Sequence, residues 1–230
     1  MTPGIGLALC AMLCFGMGDL LYKRAAQAGI ESRHFIMLQA WAFCPTITLY
    51  ALLTDNLHVR PSAIWGGLAG LFALVAFYNF SQSLRTGTIS ANAPIFRLNF
   101  TVTAFLAIVL LGEPITLLRL TGLTLALVAV WLLLAEPQGS PSRPSLASLT
   151  RVLIATGALA FANLFYKVGL LQGARPETLI SAQAWVFCSL ATAFVFVVDR
   201  RLHASPKIWR YSGPAAALLS SALFFCCMGC

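Results

Sequence analysis

The sequence predicts an all-α integral membrane protein built from a five-helix unit and an inverted copy of that unit. Three observations lead there. Of 230 residues, 59% are hydrophobic and only 10% are charged, whereas a soluble domain carries about 25% charged residues. Apolar runs of the roughly 20 residues needed to cross a hydrocarbon core recur along the chain with short polar gaps between them. Finally, QAWAFC, Gln39 to Cys44, returns with one change as QAWVFC, Gln183 to Cys188.

In chain order the spans fall near 4–22, 35–53, 63–84, 91–112, 116–135, 148–166, 179–198 and 213–229. The first run has no basic residue ahead of it and no small-residue cleavage site behind it, so it reads as a span and not as a secretion signal. The third carries Gly66 and Gly70, the G-x-x-x-G spacing that lets membrane helices approach closely. Gly112, Glu113 and Pro114 separate the fourth span from the fifth: the glycine suits a helix end, the proline a first turn, and the carboxylate the positive end of a helix dipole. Four of the seven cysteines, Cys10, Cys14, Cys44 and Cys188, lie inside apolar runs and read as small apolar residues. Cys227 and Cys230 have C-x-x-C spacing, but no histidine or redox-fold context accompanies them.

Sliding the chain on itself by 144 positions pairs Leu20, Tyr22 and Lys23 with Leu164, Tyr166 and Lys167, Gly29 with Gly173, and Trp41 and Trp65 with Trp185 and Trp209. Coincidence of rare residues marks a repeat that apolar composition alone does not produce. The expected division is a first unit of five spans over 1–135, a linker over 136–147 containing the Pro, Gly and Ser of EPQGSPSRP, and a second unit over 148–230 with three spans. An odd number of spans sends the second copy into the membrane from the opposite side. Such inverted repeats place a site near mid-membrane at their interface.

The segment Ala93 to Leu134, with Pro94, the Gly112-Glu113 turn and Gly122, resembles the closing helix pair of the EamA-type repeat of the drug/metabolite transporter superfamily. The resemblance covers the first unit and the front of the second. It implies ten helices around a central cavity, of which about eight are expected here, and it implies a cytoplasmic N-terminus. Charge points the other way: ten Lys and Arg follow odd-numbered spans and four follow even-numbered ones, which by the positive-inside rule puts the N-terminus outside. A second unit closing like the first would run beyond Cys230, so the sequence also reads as a truncated second repeat. A homodimer would be one way to supply the missing wall.

Arg97 is the most informative single residue, since a charge within a membrane helix is costly enough to mark function. Ser90, Pro94, Arg97 and Thr101 follow helical spacing, and the stripe is expected to line a cavity in which Arg97 grips a carboxylate or phosphate. Asn99 and Thr103 point to the opposite side, toward a neighbouring helix. Gln39 and Gln183, beside Trp41 and Trp185, are expected to give each half of a central site one amide and one aromatic wall. Asn79 on the third span is a further binding candidate. Asp19 and Lys23 stand four apart, where helical spacing brings their side chains together. They are expected to neutralise each other, with a proton-coupling role as the alternative.

His34, His58 and His203 fall in loops and are expected to form no ligand cluster with carboxylates, so neither a metal nor a cofactor is expected. No phosphate-cradling loop or nucleophile elbow is present, and the net charge of +8 sits largely at helix ends, which argues against a nucleic-acid partner. The function expected is transport, in the export direction, of a small polar or amphipathic metabolite by alternating access, through the lipid bilayer of a cell membrane (the inner membrane in a bacterium). The alternatives are a truncated, transport-incompetent carrier remnant and, ranked below it, a membrane-embedded enzyme acting on lipid-linked groups.

Overall fold

The fold is given by a computed structural model that describes residues 3–54, 61–135 and 145–228. Nine helices form among them: α1 (Pro3–Gln27), α2 (Ser32–Leu53), α3 (Ala63–Thr86), α4 (Ile89–Arg97), α5 (Asn99–Leu111), α6 (Leu117–Ala135), α7 (Leu146–Leu171), α8 (Pro176–Asp199) and α9 (Pro206–Met228). There is no strand among the described residues. Five spans, namely α2, α3, the α4–α5 pair, α7 and α8, are long and apolar enough to cross a membrane. Most of the expected linker lies outside the described residues, as do His58 and Cys230, and α7 is already helical at Leu146.

The fourth span differs from the unbroken helix expected over 91–112. It is divided at Leu98. Pro94 lies inside α4, where its ring removes a donor and crowds the preceding turn. The Leu98 N–H then bonds back only three residues, to the Ile95 carbonyl at 3.1 Å.

Helix boundaries repeat at the offset read in the sequence. α1 closes on Gly29 at φ 76° and α7 on Gly173 at φ 77°, a left-handed conformation that costs glycine nothing. The cap bonds are the same in both: Gly29 N–H to Ala26 and Ile30 N–H to Ala25, each 3.1 Å, against Gly173 N–H to Leu170 and Ala174 N–H to Gly169, each 3.0 Å. These are the paired bonds of a Schellman motif. Next, α2 and α8 both start from an extended residue, Glu31 and Arg175.

Packing follows the same pairing. α3 lies against α7 and α8, while α9 lies against α1 and α2, and α2 crosses α8 between them. Gly66 and Gly70 make the α3–α8 seam possible: a Cβ on Gly66 would collide with the Leu179 carbonyl, and one on Gly70 would stand 2.7 Å from the Gln183 carbonyl oxygen. The close-packing reading of this pair is therefore correct. Where α2 crosses α8, Cys44 and Cys188 meet as free thiols.

Candidate functional site

The break in the fourth span interrupts the helical bonding of backbone carbonyls within a segment apolar enough to cross a membrane, where unpaired carbonyls are costly. Side chains cover them. The Thr156 hydroxyl of α7 shares its proton between the Val152 carbonyl of its own helix, at 2.8 Å, and the Ile95 carbonyl, at 3.1 Å, and the Asn99 amide donates to the Phe96 carbonyl at 2.6 Å. Arg97 ends α4, so its positive charge stands at the negative end of that helix dipole.

Beside the break lies a cavity of about 350 Å³ bounded by α1, α2, α3, α4, α5, α7, α8 and α9. Five phenylalanines, Phe15, Phe43, Phe77, Phe96 and Phe100, give it an aromatic wall, and its polar groups are Asp19, Tyr22, Gln39, Arg97, Asn99, Asn163, Tyr166 and Gln183. Arg97 and Asp19 are its only charged side chains among the described residues, paired at 2.6 Å from Nη2 to Oδ2. Arg97 Nη2 also donates to the Phe15 carbonyl at 3.3 Å, and the guanidinium carbon sits 5.2 Å and 5.7 Å from the Phe15 and Phe96 ring centres. Such cation–π contacts hold a guanidinium in place without neutralising it.

Each half contributes a tyrosine bonded to a glutamine. The Tyr22 hydroxyl donates to Gln39 Oε1, and the Tyr166 hydroxyl to Gln183 Oε1. Position 19 and its counterpart 163 both turn toward the broken span. Asp19 reaches Arg97, while the Asn163 amide donates to Asn99 Oδ1 at 3.0 Å and to Thr103 Oγ1 at 3.4 Å.

Of the residues singled out in the sequence, Arg97, Gln39, Gln183 and Asp19 come together in the cavity. Others do not. Trp41 bonds across the α2–α8 crossing, its indole N–H 2.9 Å from Thr192 Oγ1, and Trp185 is 56% exposed on the outer surface. Two helical positions apart means roughly 200° around the axis, so a helix that turns its glutamine inward turns the neighbouring tryptophan away. Thr101 does not reach the cavity either, because the break at Leu98 ends the continuous stripe, and Phe100 and Asn99 line the wall instead. The Asn79 amide is spent on its own helix, 2.8 Å from the Val75 carbonyl. Asn99 and Thr103 do bond to the neighbouring helix, as expected, though Asn99 also borders the cavity.

The expected Asp19–Lys23 pair does not form. Arg97 takes Asp19, and the Lys23 ammonium donates to the Leu84 and Gly87 carbonyls, both at 2.8 Å, at the end of α3. Its counterpart Lys167 pairs with Glu113 at 2.5 Å, so that carboxylate answers a lysine, and α6 begins only at Leu117.

The histidine reading also needs correction. His34 belongs to the first turn of α2, and the α1–α2 turn brings Glu31 beside it while the end of α8 brings Asp199. Ligand atoms of these three lie within 4.8 Å of one another, a spacing that suits a metal ion. Here Arg33 occupies both carboxylates, pairing with Glu31 and, at 2.7 Å, with Asp199. His34 Nε2 is 3.2 Å from Asp199, and the His203 ring packs edge-on at 5.7 Å. This ionic cluster ties α2 to α8 at one end of the bundle.

The sequence reasoning missed Tyr22, Tyr166, Asn163 and the phenylalanine wall. The tyrosines carried a signal, since both belong to the repeat. A model of the EamA-like transporter family matches residues 2–135. No curated protein matches the chain.

Proposed function

The chain belongs to the EamA-like transporter family, and from that premise we propose that it carries a small polar or amphipathic metabolite across a cell membrane by alternating access, in the export direction. The observation that carries this reading is the convergence of two equivalent Tyr–Gln pairs, Tyr22–Gln39 and Tyr166–Gln183, on one cavity. A site shared by two related halves is what an inverted-repeat carrier uses, because each half closes one side of it. The helix ends that recur 144 positions apart support division into a first repeat over 1–135 and a second over 148–230. Within the cavity, Arg97, Gln39 and Gln183 are the substrate-contacting candidates and Asp19 the coupling candidate.

Transport, and not catalysis, fits the wall chemistry. The charged groups of the cavity are bonded to each other, and apolar rings supply most of its lining. The experiment is uptake and efflux of labelled small metabolites by purified protein in liposomes. Saturable flux that Gln39→Leu and Gln183→Leu each reduce at least tenfold, with the proteins still folded, is the expected result. Flux unchanged in both variants would mean that the cavity is not the path.

A further inference from the structure

We propose that the cavity binds a small monocarboxylate together with one proton, the carboxylate replacing Asp19 on the Arg97 guanidinium while Asp19 holds the proton. This rests on the carrier reading and names its substrate class and coupling.

Arg97 is already built as a carboxylate receptor. Two aromatic faces fix its guanidinium, and a carboxylate, that of Asp19, is seated on it at 2.6 Å. Both side-chain hydrogen bonds of Arg97 leave from Nη2, which leaves Nε and Nη1 without a protein partner among the described residues, while each two-pronged edge of the guanidinium includes the Nη2 that Asp19 holds. A second carboxylate has a bidentate seat there once Asp19 lets go.

Charge balance supplies the proton. Among the described residues the walls of the cavity hold one positive and one negative side chain, Arg97 and Asp19, and an entering carboxylate alone would leave a net negative charge among phenylalanine rings. Isolated charge in such surroundings is neutralised by protonation sooner than tolerated. The other groups around Asp19 do not neutralise it. On its own helix, Lys23 is committed to the end of α3 and Tyr22 to Gln39. Across the cavity, α3 contributes Phe77, α7 Asn163 and Tyr166, and α2, α5 and α8 only the uncharged polar groups of Gln39, Asn99 and Gln183 beside apolar ones. The proton comes from the same aqueous phase as the carboxylate, so the pair crosses as a neutral unit.

By linkage, the affinity for the carboxylate should fall about tenfold for each pH unit between the titration of Asp19 in the free and bound states. The probe is 3-phenylpropionate, whose ring suits the phenylalanine wall, with 3-phenylpropionamide and phenylalanine as comparators. Calorimetric titration of the purified chain between pH 5.5 and 8, in buffers of different ionisation enthalpy, counts protons taken up per ligand. The expected result is about one proton per phenylpropionate, and for Asp19→Asn tight binding with no proton uptake and no dependence on pH. Phenylpropionate binding to the parent without proton uptake, no binding at pH 5.5, or tighter and proton-independent binding of phenylalanine would each overturn the proposal. Any of these alongside saturable metabolite flux leaves the carrier reading intact, whereas absent flux with the proton count as expected counts against the carrier reading alone.

Discussion

The Tyr22 hydroxyl donates to the Gln39 amide oxygen at the edge of the central cavity, and 144 residues later Tyr166 does the same to Gln183. The two bonds are not equal in surroundings. Tyr22 and Gln39 are both buried, at 5% and 4% exposure, while Tyr166 and Gln183 are half-buried. Leaving a buried amide without its partner costs about 1–3 kcal/mol. Tyr22→Phe is expected to lie within that range and Tyr166→Phe below it, measured as unfolding free energy in detergent titrated with denaturant. Equal losses would mean that both amides find other partners.

The α3–α8 seam gives a test with an internal control. Alanine at Gly66 or Gly70 meets backbone of α8, which cannot move aside, whereas at Gly67 the new methyl stands 3.4 Å from a Val186 methyl. Overpacking against fixed atoms costs roughly 1–3 kcal/mol. Gly66→Ala and Gly70→Ala are each expected to be destabilised by that amount and Gly67→Ala to be near neutral. Thermal melts of the three variants in one detergent decide it.

At the broken span, Thr156→Val removes the hydroxyl that bonds the Ile95 carbonyl while keeping the shape of the side chain. Hydrogen bonds between membrane helices contribute about 0.6 kcal/mol on average and up to about 1.7. The lower half of that interval is expected, because the single hydroxyl proton is shared with the nearer Val152 carbonyl at 2.8 Å and the Ile95 carbonyl keeps the Leu98 N–H in a three-residue turn. A loss indistinguishable from zero would show that the break relaxes to satisfy itself.

Arg33 decides what the Glu31–His34–Asp199 cluster can hold. In Arg33→Ala two carboxylates and an imidazole remain within ligand distance of one another, with no guanidinium between the acids, and nitrogen–oxygen sets of this kind bind zinc. Zinc at micromolar concentration is expected to raise the melting temperature of the variant by several degrees and to leave the parent unchanged. An equal rise in the parent would mean that the metal displaces Arg33.

Much of the fold was legible because its signals are local. Runs of apolar residues marked the helices, five of whose segments are long and apolar enough to cross a membrane, and Gly29, Gly112 and Gly173 stand where helices stop. The break at Leu98 was less legible: Pro94 announces a disturbance, but whether a helix kinks or divides depends on the neighbour that covers the freed carbonyls, here Thr156 from a helix 61 positions away. Within the site, Arg97, Gln39 and Gln183 were legible as polar residues in apolar helices. Partner choice was not, because Asp19 has Lys23 one turn away in sequence and Arg97 only in space. The tryptophans misled for a simpler reason, since adjacency in a motif is not adjacency around a helix.

The exchange of third helices, α3 onto α7 and α8 and α9 onto α1 and α2, bears on how the molecule is made. When α3 is completed at Thr86, the helix that fits its Gly66–Gly70 face has yet to be made, since α8 begins only at Pro176. α3 must therefore wait in the bilayer with that face against lipid until α8 is inserted, and α1 and α2 wait likewise for α9. The helices made first therefore find most of their partners in helices made last, and the bundle is expected to close only after α8 and α9 have entered the bilayer.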